Sequence, residues 1–301
     1  MEIYVKGGAI VFYVVKKNSI IAFICAVVLG ISAITAYALR EHTSMETDAI
    51  PFPVVMYHNV NPDVKKKGTY SITPVQFEED LKYFKEHNYT TVSVQEIINY
   101  VYDGAALPEN PILLTFDDGY YDNYYYALPL LKQYGMKGVI FVVGSYSDET
   151  VRTGDINPNY SYLTWEQMKQ LTDDGTFEIH NHTYNMHNLK GNRKGAVKAK
   201  GESADEYITN FTNDLNKLQD RIQEATGCRP TAFAYPFGNV DKNALAVLKS
   251  VGIKMTVTSY QGVSNIQQGN PESLYQLKRI LRTGTKNSSQ IFSKTLVKNE
   301  R

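Results

Sequence analysis

The feature that most constrains this chain is a regular alternation of short apolar runs with amphipathic segments, which starts near Pro53 and ends near Leu281. Runs such as 112–116 (ILLTF) and 138–143 (GVIFVV) are continuously apolar, which is typical of parallel strands buried on both faces. The segments between the runs carry apolar residues at helical spacing. About seven such strand–helix units in ~250 residues predict an α/β fold, a (β/α) barrel that is incomplete or distorted.

A second feature is the uncharged apolar run at residues 19–39. About 20 apolar residues span the hydrocarbon core of a bilayer, so this run predicts one transmembrane helix. Lys16 and Lys17 directly precede it, which predicts a cytoplasmic N-terminus. Ala36-Tyr37-Ala38 resembles a signal-peptidase site, but the run is long for a cleaved signal peptide, and an uncleaved anchor is favoured. The expected segments are a cytoplasmic part at 1–18, the anchor at 19–39, a linker at 40–52 and an extracellular domain at 53–301.

The charge balance does not point to a nucleic-acid-binding protein, and the cysteine content does not point to a disulfide-stabilised one. Lys+Arg and Asp+Glu balance at 31 each, so net charge gives no argument for a nucleic-acid partner. Cys25 lies inside the apolar run and Cys228 is far from it, so a disulfide framework is not expected.

Two adjacent carboxylates, Asp117 and Asp118, end the apolar run at 112–116 and precede Gly119. A turn at this point would bring both carboxylates to the rim of a barrel, where one could bind a metal and the other act as a base. The alternative is a simple turn, because Asp-Asp-Gly is a common turn sequence.

Three of the six histidines fall within eight residues at the end of another predicted strand: His180, His182 and His187. Neutral imidazole is the commonest metal ligand, and two histidines with one carboxylate make up a typical catalytic divalent-metal site. A polar loop with incidental histidines is the less favoured interpretation.

Two further strand ends carry candidate groups. Tyr235-Pro236-Phe237-Gly238 follows a predicted strand, and the rigid proline could present a backbone N–H to a developing oxyanion. His58 follows the first strand, and Tyr120 directly follows the Asp-Asp-Gly sequence, where its ring could stack on a sugar. Strand ends converge at one face of a barrel, so these groups are expected to share a site.

Together these motifs resemble the polysaccharide deacetylase family, carbohydrate esterase family 4, over roughly residues 53–281. The resemblance implies that Asp117 is the catalytic base and that Asp118, His182 and His187 bind a divalent metal, expected to be zinc, with cobalt, nickel or manganese as alternatives. It also implies that His58 is the catalytic acid. The backbone N–H of Phe237 is the expected oxyanion donor, and Tyr120, Tyr235 and Pro236 are the expected substrate contacts.

The chain departs from the common family pattern in three places. His182 and His187 are five residues apart, which resembles the branch that deacetylates poly-N-acetylglucosamine of biofilms. Ala234 stands where relatives usually carry an arginine that orients the base, so the partner of Asp117 is left open. No C-terminal Leu-x-x-His motif is found, but in the biofilm branch an N-terminal Tyr-His supplies the acid, and His58 follows Tyr57.

The resemblance implies an N-deacetylase that acts on an amino-sugar polymer such as peptidoglycan or poly-N-acetylglucosamine. The apolar run at 19–39 predicts that this enzyme is bound to the cell membrane by a single span, with its catalytic domain outside the cell. Two other functions stay open: an O-acetyl esterase that acts on a polysaccharide, and a catalytically inactive carbohydrate-binding barrel. Ala234 and the missing C-terminal histidine favour the inactive barrel, whereas the retained aspartates and histidines oppose it.

Overall fold

The computed structural model describes residues 2–6, 9–13, 27–28, 49–63, 68–189, 191–293 and 296. The chain divides into two compact units, Met1–Asp48 and Ala49–Arg301. In the first unit, strands β1 (Glu2–Lys6) and β2 (Ala9–Tyr13) pair antiparallel. The predicted anchor at 19–39 lies outside the described residues except for positions 27–28. Among the helices that are described, none combines the length and apolar character needed to cross a bilayer.

The second unit alternates strands and helices. Its strands are β3 (Ile50–Phe52), β4 (Val54–Tyr57), β5 (Asn59–Val60), β6 (Ser71–Ile72), β7 (Thr90–Thr91), β8 (Pro111–Asp118), β9 (Gly138–Val142), β10 (Phe177–Asn181), β11 (Ala232–Ala234), β12 (Met255–Gln261), β13 (Ser264–Ile266) and β14 (Leu277–Leu281). Its α-helices are α1 (Pro74–Glu86), α2 (Val94–Asp103), α3 (Leu128–Tyr134), α4 (Gly144–Thr153), α5 (Trp165–Asp174), α6 (Ala204–Thr226), α7 (Ala244–Ser250) and α8 (Ser288–Phe292).

Seven parallel strands close into a barrel. Their order is β4, β14, β12, β11, β10, β9 and β8, and β4 also pairs with β8, which completes the ring. The pairing is uneven, because β10 and β11 share one register pair and the register of β12 with β14 shifts between Val257 and Gln261. The prediction of a distorted (β/α) barrel is therefore confirmed.

Side chains alternate along each barrel strand between the interior and the helix layer. Val54, Leu113 and Leu277 belong to an interior cluster, whereas Val55 and Leu114 pack in the layer beneath the helices. This alternation matters for the site. A polar residue that is an even number of positions from one of the interior residues on the same strand also points into the barrel interior.

Local capping fixes several helix starts. Thr73, Ser93, Thr164 and Ser203 each form a capping box, in which the side chain accepts from the third helical N–H. The sequence predicts a long amphipathic helix over residues 204–226, closed by Gly227, and α6 has these bounds.

Two elements differ from the sequence expectation. Residues 50–52, placed in a linker by the sequence, form β3, which pairs antiparallel with β13. The sequence predicts a helix over residues 124–134 that ends at Gly135; this segment begins as a π-helix at Asn123–Ala127 and becomes α-helical only at Leu128.

Candidate active site

The two adjacent carboxylates end strand β8, all of whose residues are buried. Asp118 has φ of 74° and Gly119 has φ of 76°, so the chain turns sharply directly after the strand. A Cβ on residue 119 would lie 2.9 Å from Cγ1 of Val142, so glycine is needed here for space as well as for conformation. The turn lets Asp117 and Asp118 line one cavity of about 910 Å³.

A buried arginine holds Asp117. Nη1 and Nη2 of Arg279 donate to Oδ1 and Oδ2 of Asp117 at 2.7 Å each, and Nε of Arg279 donates to the carbonyl of Thr258 at 2.6 Å. Burial acts to raise the pKa of Asp117, but the charge and hydrogen bonds of Arg279 outweigh it and hold that pKa well below its ordinary value. Asp117 is therefore an ionised carboxylate with a fixed orientation.

No partner for Asp117 could be assigned from the sequence, because Ala234 stands where the family pattern usually has an arginine. The structure supplies the guanidinium from β14 instead. Arg279 has the same parity as the interior residue Leu277, and Asp117 has the same parity as Leu113, so both side chains enter the barrel interior. Although residue 234 is an alanine, the carboxylate of Asp117 is therefore still paired with an arginine.

Asp118, His182 and His187 converge in the fold. Nε2 of His182 lies 3.6 Å and Nε2 of His187 lies 3.2 Å from Oδ1 of Asp118. One possible ligand atom from each of the three residues lies within 4.8 Å of the others. The structure thus brings together the three residues that the sequence proposed as metal ligands.

The second ring nitrogen of each histidine has its own partner. Nδ1 of His182 donates to the carbonyl of Ala234 at 2.7 Å. The hydroxyl of Tyr146 lies 3.3 Å from Nδ1 of His187 and donates to the carbonyl of His187 at 3.1 Å. A carbonyl can only accept, so Nδ1 of His182 carries the proton and Nε2 presents a lone pair. Such contacts orient metal-binding histidines.

The three converging atoms have the chemistry of a cation site. Burial lowers the pKa of His182 to about 3, and it lowers the pKa of His187 as well, so both rings are neutral. Oδ1 of Asp118 is buried and accepts no hydrogen bond within the described part of the chain. Burial raises the pKa of Asp118 to about 6. Two imidazoles and a carboxylate that face one another in this way fit a divalent cation such as zinc.

A strained loop positions the two histidines. Directly after β10, Thr183 has φ of 76°, which is unusual for a β-branched residue. Its N–H donates to Oδ1 of Asn181 at 2.8 Å. Asp214 of α6 accepts the backbone N–H groups of Tyr184 and Asn185 at 2.7 and 2.8 Å. Helix α6 therefore stabilises the backbone between the two ligands.

His58 lines the same cavity, directly after β4. Its ring centroid lies 4.8 Å from that of Tyr70. Its Nδ1 is buried and has no hydrogen-bond partner among the residues the structure describes. His58 is outside the group of three candidate ligands, so it is available for a role in proton transfer.

The Tyr-Pro-Phe-Gly motif forms a tight turn after β11. Phe237 has φ of 58°, and its ring centroid lies 4.5 Å from that of His187. Gly238 packs so closely that a Cβ would lie 2.9 Å from the backbone nitrogen of Ser259. Tyr235 and Phe237 line the cavity, whereas Pro236 is buried and is not among the described lining residues.

Tyr120 also lines the cavity. Its ring stacks on Tyr162 with centroids 5.0 Å apart, and Tyr162 lies 4.5 Å from Tyr146, which contacts His187. Burial and the nearby charge of Asp118 raise the pKa of Tyr120, so its hydroxyl keeps its proton. The sequence singled out Tyr120 but neither Tyr146 nor Tyr162.

The closed barrel and its polar rim define the class of protein: a (β/α) barrel with a two-histidine, one-aspartate cluster beside an arginine-held carboxylate. The sequence profile of polysaccharide deacetylases matches residues 104–256, about half of the chain. The chain belongs to the polysaccharide deacetylase family.

Comparison with individual proteins agrees with this assignment. The chain is 27% identical over 235 residues to a poly-beta-1,6-N-acetyl-D-glucosamine N-deacetylase of Escherichia coli K12, covering 72% of this chain and 35% of that protein. It is 27% identical over 191 residues to the protein of that name from Staphylococcus aureus MRSA252, covering 63% of this chain and 61% of that protein. The chain therefore spans less than two thirds of either relative.

Among solved structures, a de-N-acetylase from Aggregatibacter actinomycetemcomitans is 27% identical with a TM-score of 0.69. The alignment covers 81% of this chain and 99% of that one.

Proposed function

We propose that this protein is a metal-dependent hydrolase that removes N-acetyl groups from an amino-sugar polysaccharide outside the cytoplasm. The observation that carries the proposal is the convergence of Asp118, His182 and His187 in one cavity with the arginine-held Asp117. The names of the relatives support β-1,6-linked poly-N-acetylglucosamine as the first substrate to test, with peptidoglycan as the second.

Asp118, His182 and His187 would hold the metal. When bound, a divalent cation supplies a Lewis acid that lowers the pKa of water and polarises an acetyl carbonyl. The neutral state of both histidines suits this role, because a protonated imidazole cannot bind a metal.

The chain's own residues move the protons. Asp117 accepts a proton from the attacking water, and Arg279 keeps Asp117 ionised and oriented for this step. The water oxygen bonds to the acetyl carbon, and the backbone N–H of Phe237 donates to the developing oxyanion. As the C–N bond breaks, His58 gives a proton to the departing nitrogen, because an amine is a poor leaving group unless it is protonated. The products are acetate and a free amino sugar.

The test is acetate release from β-1,6-linked N-acetylglucosamine oligomers, from peptidoglycan fragments and from acetylated xylan, with and without a chelator. The proposal expects release from an N-acetylated glycan, loss of release with chelator and recovery with zinc. Release from acetylated xylan alone would indicate an O-acetyl esterase instead of an N-deacetylase. No release from any of these glycans would support an inactive binding protein instead.

We also propose that residues 19–39 anchor the protein in the cell membrane with the barrel outside. The support is the uncharged apolar run and the lysines that precede it. A full-length protein that stays in the membrane pellet after alkaline carbonate washing, and whose barrel is cleaved by protease added to intact cells, would agree. Recovery of the barrel in the cytosolic fraction would contradict the proposal.

A further inference from the structure

The loop that connects α4 to α5 places an exposed aromatic ring on the cavity wall. Tyr160 is 56% exposed, and it lines the same cavity as Asp117 and Asp118, together with its neighbour Asn159. Core packing does not account for a tyrosine that is exposed to this extent. Its position on the wall of a polar cavity is typical of a residue that contacts a ligand.

The orientation of the ring is fixed by a hydrogen bond. The hydroxyl of Tyr160 lies 2.8 Å from both carboxylate oxygens of Asp155, in the same loop. A ring that is held in place before the ligand arrives loses little conformational entropy on binding.

The loop is also fixed relative to the reacting groups. Oγ of Ser161 donates to the carbonyl of Asp155 at 2.6 Å, and the carbonyl of Ser161 accepts the N–H of Tyr121 at 3.0 Å, just after the aspartate pair. The loop also contacts the segment after β5, because Nδ2 of the fully buried Asn61 donates to the carbonyl of Pro158 at 2.9 Å. The loop is therefore tied to the segments that follow β8 and β5.

Tyr160 lies in a more open part of the cavity than the reacting groups, because it is 56% exposed whereas Asp117 is 3% exposed. The acetamide must reach the buried Asp117, which leaves the open part of the cavity to another part of the polymer. The cavity volume of about 910 Å³ lies in the upper part of the range for small-molecule sites, which leaves room for more than the reacting sugar.

We propose that Tyr160 forms a binding subsite for the sugar ring next to the one that is deacetylated. The apolar face of a hexosamine stacks on the Tyr160 ring, and the amide of Asn159 offers a donor and an acceptor to hydroxyl or acetamido groups. The ligand class is an oligomer of N-acetylated hexosamine, so the enzyme prefers chains to short substrates. The inference rests on the proposed function.

The test measures acetate release from the single sugar N-acetylglucosamine and from the β-1,6-linked pentamer. The readout is the ratio of kcat/KM for the pentamer to kcat/KM for the single sugar, because a single sugar has no second ring to occupy the neighbouring subsite. For Tyr160→Ala we expect this ratio to fall by about tenfold, since a lost aromatic contact of this kind has roughly that effect. Tyr160→Phe keeps the ring but loses the hydrogen bond to Asp155, so it should retain more of the preference than Tyr160→Ala. Tyr125→Ala is the matched control, because Tyr125 is 53% exposed and lies outside the set of residues that line the cavity.

The outcomes are distinguishable. An unchanged ratio in Tyr160→Ala overturns the subsite while leaving the deacetylase intact. An equal fall for Tyr160→Ala and Tyr160→Phe overturns stacking, because the ring would not be the group that matters. Equal losses on the single sugar and the pentamer assign a structural role to the residue and also overturn the proposal. A wild-type protein that releases no acetate from either substrate removes the proposed function and the subsite with it.

Discussion

Replacing Arg279 with methionine should destabilise the protein by an amount that depends on pH. Arg279 is 1% exposed and Asp117 is 3% exposed, and two hydrogen bonds of 2.7 Å join them. Removing one partner of a buried ion pair leaves an uncompensated charge and costs about 3–5 kcal/mol. Methionine fills similar volume without a charge, so the loss reports mainly on the unpaired carboxylate.

The sign of the pH dependence follows from the pKa of Asp117. In the wild type this pKa is depressed, so the stabilisation is fully present above the ordinary pKa of an aspartate. It is lost as the pH falls from that ordinary pKa through the depressed pKa of the folded state. In Arg279→Met the charge and hydrogen bonds of Arg279 are gone, and burial outweighs the weaker effects of His182 and His58, so the pKa of Asp117 rises above the ordinary value. The variant therefore loses stability as the pH rises, and the gap from the wild type should widen between pH 4.5 and pH 7.

The assay is urea unfolding at both pH values in the presence of a chelator, followed by fluorescence of Trp165, the single tryptophan. The double variant Arg279→Met/Asp117→Asn should recover part of the loss, because no buried charge remains unpaired. A loss in Arg279→Met that is the same at both pH values, or a double variant no more stable than the single one, would refute the reasoning.

Arg282→Met is the matched control. Arg282 and Asp80 are both fully buried, with Nε 2.6 Å from Oδ2, but Asp80 belongs to α1 and does not line the cavity. Its loss of stability should be similar in size, while acetate release per folded molecule should persist. Arg279→Met should lose both stability and acetate release per folded molecule. If the two variants released acetate equally well per folded molecule, Arg279 would have no part in catalysis.

Three further outcomes follow from the site. Asp117→Asn should retain metal, measured by elemental analysis, but release acetate at least ~10²-fold more slowly, because the base is gone; full activity would remove Asp117 from the mechanism. Tyr146→Phe should weaken zinc affinity by roughly 10-fold in a competition titration, because the hydroxyl that orients His187 is lost; unchanged affinity would contradict that role. Gly238→Ala should lower the urea midpoint and the activity together, because its Cβ meets the backbone of Ser259; a variant with a wild-type midpoint would show that the turn adapts freely.

The barrel could be predicted from sequence because its strands are continuous apolar runs, such as 112–116, and its helices begin with strong caps, such as Thr73. These signals are local, and the parallel pairing follows from them. The π-helix at 123–127 could not be predicted, because its sequence differs little from that of an ordinary helix. Strand β3 was missed because three residues next to a proline carry too little pattern.

The candidate site also contains some residues that could be predicted from the sequence and others that could not. Asp118, His182 and His187 were found because their residue types are diagnostic and they lie at the end of a strand or in the loop that follows one. Arg279 was missed, although one signal was present: a charged residue inside the last apolar strand, 277–281, whose parity matches the interior. Its pairing with Asp117 depends on barrel closure between β14, β4 and β8, which no local pattern encodes.

Backbone conformation at the site could not be predicted either. Asp118, Thr183 and Phe237 all have positive φ without being glycine. Such residues persist only where tertiary contacts hold them. Asp118 and Phe237 line the cavity and Thr183 directly follows His182, a placement that is typical of a functional site. Tyr146 was missed for a related reason, because its contact with His187 joins two segments that are distant in sequence.

Metal stoichiometry tests the central claim most directly. The full-length protein, loaded with zinc and freed of excess metal, should retain one equivalent per chain by elemental analysis. The double variant His182→Ala/His187→Ala should retain almost none, while Arg282→Met should retain the full equivalent. A double variant that still holds one zinc per chain would contradict the account, because the ion would then be bound elsewhere.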